Sequence, residues 1–583
     1  MRIPVSPGSI AFIWLSLAAL TADDSGAQVI RGVVTDSANL TPLAAVLVTL
    51  ADDSHREVRR TLVDARGEFV FHLPLPGRYS VRAERIGMTT RMIDRIEVAA
   101  RDTVSLGIAL SRRPIALEEL SATGEGRCEM SEDLGLATFR VWDEARKALA
   151  VADFASSGGT HVYELERYVR ELEPGTLRIR TAAHTRWSVA SERPMEALPV
   201  QDLVEGGWVV RQDGGDRYFA PDAHVLLSDE FLDSHCIQLR ARHESHPHLV
   251  GLAFRPIRMR SRQARIQGVL WLSRETGGLE WLEFGYLNLP GLAEEVRNEE
   301  IGGRVDFRNL PDGTWIVSRW YVRMPLVVEE GTTMDLRQLG GMIELRRPRL
   351  RGIAEEGGRV IAVRTGASGA LAYVDRGGVI AGRVARADSE DVMEPGGQVA
   401  IVGVGVVMDV DPDGRFGIAG LPDGVYRLAH LRPSLRGLDR DHVLADVPVR
   451  GGDTTTVRLR AAEPNAVLAR ACGLEEWEPE TGVVHGYVTL GESGSAAAGV
   501  TVAAEWMEFS GRGLARLRAT QRSVTAETNE MGAFRLCGIA ADHTTVTVTA
   551  TAEARAQEVS ANLSLSRDEP VSAVSLRLPG PSF

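Results

Sequence analysis

Val63-Asp64-Ala-Arg-Gly67-Glu-Phe69-Val-Phe71-His-Leu73-Pro-Leu-Pro76-Gly77-Arg-Tyr79 lays out a turn, a strand, a second turn and a second strand without interruption. Asp64 to Gly67 supplies a tight turn with a glycine available for positive φ, and Phe69 and Phe71 alternate onto one face of the strand that follows. Pro76-Gly77 turns the chain again before Tyr79. The order returns at Asp411-Pro-Asp-Gly414-Arg-Phe416-Gly-Ile418 and continues to Gly424-Val-Tyr426, and its first half returns at Asn529-Glu-Met-Gly532-Ala-Phe534-Arg-Leu536. A turn-and-strand unit repeated in this way makes the chain a set of related β modules.

Ahead of the first copy, Val29 to Asp36 and Pro42 to Leu50 are rich in β-branched and aliphatic residues, and Ile93 to Leu110 follows it with further strand material. Short strands punctuated by Gly and Pro predict an antiparallel sandwich over residues 28–111, with copies over 376–461 and 482–579. The third copy departs from the others. Glu505 to Arg512 is inserted and lengthens a connection, and Ala540-Ala-Asp-His543 replaces the Pro-Gly turn.

The order Gly32-x-Val34, Pro42-Leu-Ala-x-Val46, Asp64-x-x-Gly67-x-Phe69-x-Phe71 and Pro76-Gly77-x-Tyr79 resembles the carboxypeptidase regulatory-like domain. The resemblance implies an Ig-like or transthyretin-like β-sandwich, also called carbohydrate-binding-like, appended to secreted peptidases and to outer-membrane receptors. It implies an extracellular setting and no catalytic activity. Residues 112–127 form a polar linker resembling the segment that joins such a domain to the plug of TonB-dependent receptors, but neither a plug nor a series of membrane strands follows.

The 583 residues exceed what one core supports, and 44% hydrophobic with 25% charged residues is globular composition. A net charge of -13 with no basic cluster argues against nucleic acid as a partner. Lys147 is the single lysine; every other basic residue bar histidine is arginine. Arg2, the apolar run Ile10 to Leu20 and Ser25-Gly-Ala27 form a signal peptide over 1–27, cleaved after Ala27 and too short to span a bilayer. Export to the periplasm, the outer membrane or the extracellular side turns the four cysteines into disulfide candidates, paired Cys128 with Cys236 and Cys472 with Cys537 by the regions they share.

Residues 128–350 read as a central α+β domain. Ser131 caps a helix whose stripe is Phe139, Trp142, Ala145 and Leu149, and hairpins follow: Ile266 to Leu272 with Leu279 to Tyr286, and Val305 to Phe307 with Trp315 to Val322. One helix against a broad antiparallel sheet is the expected plan. Its hairpins are similar to those of periplasmic lipoprotein carriers, which hold lipid in an apolar concavity. Residues 351–375 and 462–481 are expected linkers, so the fold class is mainly β, with sandwich modules flanking the α+β domain.

Three constellations carry residue types suited to chemistry. His161-Val-Tyr-Glu164 has the H-x-x-E spacing of zinc carboxypeptidases, in which zinc takes imidazole and carboxylate ligands and keeps a water site, yet it sits in an alternating strand. His235, His243, His246 and His248 concentrate imidazoles that suit a divalent metal, although Pro247 breaks the segment into a loop. Asp409, Asp411 and Asp413 copy half of a calcium loop, but Gly420 stands where its closing acid belongs. No phosphate loop, dinucleotide fingerprint or nucleophile elbow occurs. The expectation is an exported, non-enzymatic envelope protein without a cofactor, binding or scaffolding a cell-envelope protein, carbohydrate, peptide or lipid. The alternatives are a metal-dependent hydrolase and an accessory protein that contacts a TonB-dependent receptor through Leu117 to Leu120.

Overall fold

In the computed structural model, the opening stretch forms the heart of a seven-stranded unit. The structure describes residues 28–112, 132–157, 161–189, 195, 197–212, 215–259, 263–289, 296–336, 341–365, 369–389, 391–440, 442–491, 494–510, 518–542, 544–552 and 557–579. The proposed signal peptide, Ser131, Cys128 and Leu117 to Leu120 lie outside them. The first unit comprises β1 (Val29–Asp36), β2 (Leu47–Asp52), β3 (Glu57–Leu62), β4 (Glu68–His72), β5 (Gly77–Glu84), β6 (Arg91–Val98) and β7 (Thr103–Leu110). Two sheets of order β4-β1-β7 and β3-β2-β5-β6 enclose Ile30, Val48, Phe71, Val81 and Ile108. β1 runs antiparallel to β4 and parallel to β7.

The central region opens with α1 (Glu132–Ser157), β8 (His161–Leu172) and β9 (Ile179–Val189). After α2 (Val200–Gly206), β10 (Val209–Gln212), β11 (Gly215–Tyr218), α3 (Ala223–Leu227) and α4 (Asp229–Ser234) come the hairpins. These are β12 (His235–Arg240), β13 (Leu249–Pro256), β14 (Arg265–Ser273), β15 (Leu279–Leu287), β16 (Gly302–Asn309), β17 (Trp315–Leu336), β18 (Gly341–Thr365) and β19 (Leu371–Val374). The strands make one sheet of order β12-β13-β14-β15-β16-β17-β18-β8-β9, with β19 also on β18. Residues 351–375 are therefore not a linker. Within them residues 352–359 pair with β17, residues 353–365 with β8, a strand far earlier in the chain, and Leu371–Val374 with β18, and this long-range pairing overrides the low strand preference of the glycines.

α1 packs Val141, Ala145, Ala148, Leu149 and Ala152 into the core shared with the sheet, and Leu47 of β2 enters the same core from the first sandwich. The stripe expected through Phe139 is displaced. Phe139 is 63% exposed while Val141 and Ala148 are buried, because the helix is covered from two sides and needs small residues on both. Polar contacts reinforce this joint. Gly87 N–H donates to Glu144 Oε2 at 2.7 Å, Lys147 Nζ donates to the Met88 carbonyl at 2.8 Å, and Arg146 pairs with Glu84 at 2.5 Å.

The second sandwich contains β20 (Gly378–Ala385), β21 (Gln398–Ile401), β22 (Val407–Asp409), β23 (Arg415–Leu421), β24 (Gly424–Leu431), β25 (Ala445–Val449) and β26 (Thr454–Arg460). α5 (Pro464–Ala471) then occupies part of the expected linker, and Leu468 and Val467 pack it against Leu435, Val483 and Val571 of the two flanking sandwiches. The third sandwich contains β27 (Thr481–Leu490), β28 (Ser495–Ala496), β29 (Thr501–Ser510), β30 (Arg518–Glu527), β31 (Ala533–Ala540), β32 (Thr544–Ala552), β33 (Gln557–Leu565) and β34 (Val571–Leu578). Its inserted residues lengthen two paired strands, β29 and β30, rather than a loop alone. A disulfide joins Cys472, after α5, to Cys537 in β31. Cys236 is also disulfide-bonded.

The three sandwiches share one topology. β20 and β27 repeat the place of β1, antiparallel to β23 and β31 and parallel to β26 and β34. The repeated turn explains why the sequence recurs. Asp64, Asp411 and Asn529 each accept, on Oδ1, the backbone N–H four residues on, at 2.8, 2.7 and 3.0 Å. Gly67, Gly414 and Gly532 follow at φ of 79°, 74° and 71°, and their carbonyls accept from Val34, Val384 and Val488 of the central strands. A Cβ on Gly67 would stand 2.6 Å from the Val34 carbonyl oxygen. Gly67→Ala should therefore lower the stability of the first sandwich by about 1–3 kcal/mol, read by denaturant unfolding, whereas Ala65→Gly in the same turn should cost far less.

Candidate functional site

The ten-stranded sheet has two faces, and the histidine candidates divide between them. The face toward α1 is filled by the chain's own side chains. Beside Ala152, Tyr163, Met195, Leu226, Phe307 and Ile316 the helices leave about 30 Å3, room for one water. This space is no lipid-holding concavity, because α1 and α3 lie over the apolar strands.

His235 belongs to this packed side. Its ring stacks on Phe231 with centroids 4.1 Å apart, Nδ1 lies 3.0 Å from the Phe231 carbonyl oxygen, and burial pushes its pKa down to about 4. The unfolded value is near 6.5, so the unfolded state takes up the proton first as pH falls. The stability that neutral His235 contributes is present above about pH 6.5 and is lost between there and about pH 4. His235→Phe, which keeps the stack, should flatten that part of the stability–pH curve, removing an acid penalty on the order of 3 kcal/mol.

His243, His246 and His248 sit on the opposite face, away from His235. His243 and His246 pack over Trp271 and Trp281, with His243 4.7 Å from the Trp271 ring and His246 5.3 Å from the Trp281 ring. Their Nδ1 atoms are 3.3 Å apart, the Ser245 N–H donates to His243 Nδ1 at 3.1 Å, and the His248 ring lies 6.0 Å from that of His246. Among the described residues no three His, Cys, Asp or Glu side chains are grouped to hold a metal. His161 and Glu164 do not converge: His161 is buried, 3.2 Å from Asp312 Oδ2, while Glu164 points out on the other face of β8. The acidic run divides similarly, since Asp411 holds its own turn and Asp409 accepts from Gln398 Nε2 at 2.9 Å.

The most developed arrangement is one that no motif marked. β8, β17 and β18 carry Glu166-x-Tyr168-x-Arg170, Arg319-x-Tyr321-x-Arg323 and Glu355-x-Gly357-x-Arg359. Residues two apart on a strand share a face. The register places Arg323, Glu355 and Arg170 in one row, Tyr321, Gly357 and Tyr168 in the next, and Arg319, Arg359 and Glu166 in the third. Gly357 leaves space for the Tyr168 ring, and Arg170 stacks over that ring at 3.9 Å.

The second sandwich closes this grid. Arg170 donates to the Asp423 carbonyl at 2.7 Å and to the Tyr426 hydroxyl at 3.0 Å, and Arg359 donates to the Gly420 carbonyl at 2.6 Å. Arg319 pairs with Asp375 at 3.1 Å and with Asp423 at 3.0 Å, Arg323 with Glu355 at 2.8 Å, and Arg359 with Glu166 at 2.5 Å. Four guanidiniums thus meet four carboxylates. Burial alone would raise the Glu166 carboxyl, but His184, Arg359 and Arg186 hold it down at about 2. Around the ions Leu172, Ile179 and Ile353 of the sheet share a core with Ile380, Tyr426 and Leu428 of the sandwich. Planar, always-charged arginine suits such a buried joint better than lysine does.

Residues 29–111 match the carboxypeptidase regulatory-like domain, and the first sandwich is a domain of that family. No curated protein matches the chain. Among solved structures, the shaft pilin SpaA of Lactobacillus rhamnosus GG is 13% identical over 36% of this chain and 99% of its own, with a TM-score of 0.14. BcpA, the major pilin subunit of Bacillus cereus, is 7% identical over 94% of this chain and 99% of its own, with a TM-score of 0.13. The Bacillus anthracis TIE protein is 10% identical over 63% of this chain and 64% of its own, with a TM-score of 0.14.

Proposed function

We propose that the chain is an exported, non-enzymatic cell-envelope protein that works as a scaffold, holding three sandwich modules and a central sheet in fixed positions for binding at the envelope. The reading rests on one observation: the charged grid of the sheet, its most elaborate polar surface, is consumed in fixing the second sandwich. The remaining joints are secured in the same spirit, by Lys147 and Arg146 at the first sandwich and by α5 and the Cys472–Cys537 disulfide at the third. In this reading residues 28–111, 376–461 and 482–579 are the presented modules, and 128–375 is the frame between them.

Buried ion pairs are screened far less than exposed ones. Small-angle scattering of the mature protein should therefore give the same radius of gyration in dilute buffer and in about 1 M salt. Expansion with salt would mean that the modules swing freely, and the scaffold reading would fall. Cell fractionation tests export separately, and recovery of the chain from the cytosol would end that part.

A further inference from the structure

A cleft of about 790 Å3 opens where the first sandwich meets α1 and two hairpin turns of the sheet. Most of its charged groups are matched; among the described residues Arg85 and the exposed Glu275 are the two that are not. Asp36 accepts from Arg112 Nε at 3.2 Å and from the Ala38 N–H at 2.9 Å. Lys147 is held by Asp143 at 3.0 Å and Glu144 at 2.8 Å, and Asp312 lies 3.2 Å from His161. Arg85, on the loop between β5 and β6, is partly buried, yet its guanidinium makes no hydrogen bond and no ion pair among the described residues. Burial, and then the neighbouring Arg112 cation, disfavour its charge, while the Asp36 carboxylate favours it. Five N–H donors beside a second guanidinium form a fork that matches a planar anion.

We propose that this cleft binds a polypeptide C-terminus, with Arg85 receiving the terminal carboxylate. The surroundings select the class. Asp36, Glu275 and Asp312 also line the cleft, so one uncommitted positive charge faces several acids and suits a monoanion better than a phosphate dianion. Leu43, Ile86 and Trp315 offer apolar contact for a terminal side chain, and Asn309 and Thr276 offer the polar groups that a peptide backbone uses and an alkyl tail does not. The inference requires no export, but it rests on the docking of the first sandwich against α1 and the two hairpin turns, which is one joint of the scaffold reading.

The test titrates the full mature chain, by calorimetry, with acetylated tripeptides ending in Ala, Leu or Phe, with their C-terminal amides, with decanoate and with inorganic phosphate. At least one free-acid peptide should bind with a Kd on the order of 1 mM or tighter, weakening at least about tenfold on amidation or in Arg85→Met. Because Arg85 makes no hydrogen bond or ion pair among the described residues and acts on Asp36 only at a distance, Arg85→Met should shift Tm little, which separates lost binding from lost folding. The idea is overturned if acid and amide bind alike, if Arg85→Met binds as wild type, if decanoate or phosphate binds more tightly than every peptide, or if none of the peptides saturates. It is equally overturned if Arg85→Met lowers Tm by several degrees, since the side chain would then have a structural partner. None of these results touches the scaffold reading, which the scattering experiment decides.

Discussion

Arg359→Met is expected to weaken the joint between the ten-stranded sheet and the second sandwich by about 3 kcal/mol. Arg359 and Glu166 are each 3% exposed, so the substitution removes the main buried counter-charge of Glu166 and leaves the Gly420 carbonyl without its donor. Arg186 and His184 still reach Glu166, which keeps the cost at the lower end of what breaking a buried pair exacts. Removing both charges should cost much less than removing one. Glu166→Met with Arg359→Met is therefore expected to recover most of the loss, and a double-mutant cycle measures the coupling. In a chain of several modules unfolding need not be two-state, so the readout is hydrogen exchange at β18 and β23 rather than a single Tm. Equal losses in the single and double variants would show that the pair contributes packing alone.

Lys147→Met should weaken the joint between the first sandwich and α1 by a similar amount, about 3 kcal/mol. Lys147 is 1% exposed and bonds Glu144, Asp143 and the Met88 carbonyl; without it, nearly buried Glu144 keeps the Gly87 N–H as its partner across the joint but loses its counter-charge. Lys147→Met with Glu144→Gln should be milder than Lys147→Met alone. The composition provides an independent probe. With one lysine in 583 residues, amine-reactive labelling away from the N-terminus reports on this joint only. Native protein should label Lys147 slowly, at a rate set by local opening, and rapid labelling without denaturant would show that the first sandwich is not docked on α1.

The sandwiches were legible because their signal is local. Asp64, Gly67, Phe69 and Phe71 fall within eight residues, and a side-chain-capped turn followed by alternating apolar residues needs no distant partner to be read. The hairpins β14–β15 and β16–β17 were legible for the same reason. Residues 352–365 look like a linker in the sequence because their partners, β8 and β17, are fixed by pairing across the sheet. The helical period points Phe139 at the core, yet it is exposed, because such a period reveals that a helix has faces, not how many of them are covered. His161 and Glu164 had the right spacing for a ligand pair on paper, but in a strand three residues apart means opposite faces.

The charged grid did leave a trace in the sequence, since Glu166, Tyr168 and Arg170 alternate as do their counterparts on β17 and β18. What the trace lacks is the register that brings them side by side. Arg85 left none: nothing in Ala83-Glu-Arg-Ile86 distinguishes it, and its place in the cleft comes from the docking of the first sandwich on the sheet's hairpin turns.

The stretch from Val63 to Tyr79 and its two returns by themselves determined that the protein is built from repeated β-sandwiches, because turn chemistry and strand alternation act over a few residues. Only the tertiary structure decided that residues 351–365 and 371–374 join the central sheet, that its charged face clamps the second sandwich, and that Arg85 faces a cleft with no hydrogen bond among the described residues. Each of these depends on charges and strands distant in sequence meeting at one place, and no local pattern of residues encodes which of them will meet.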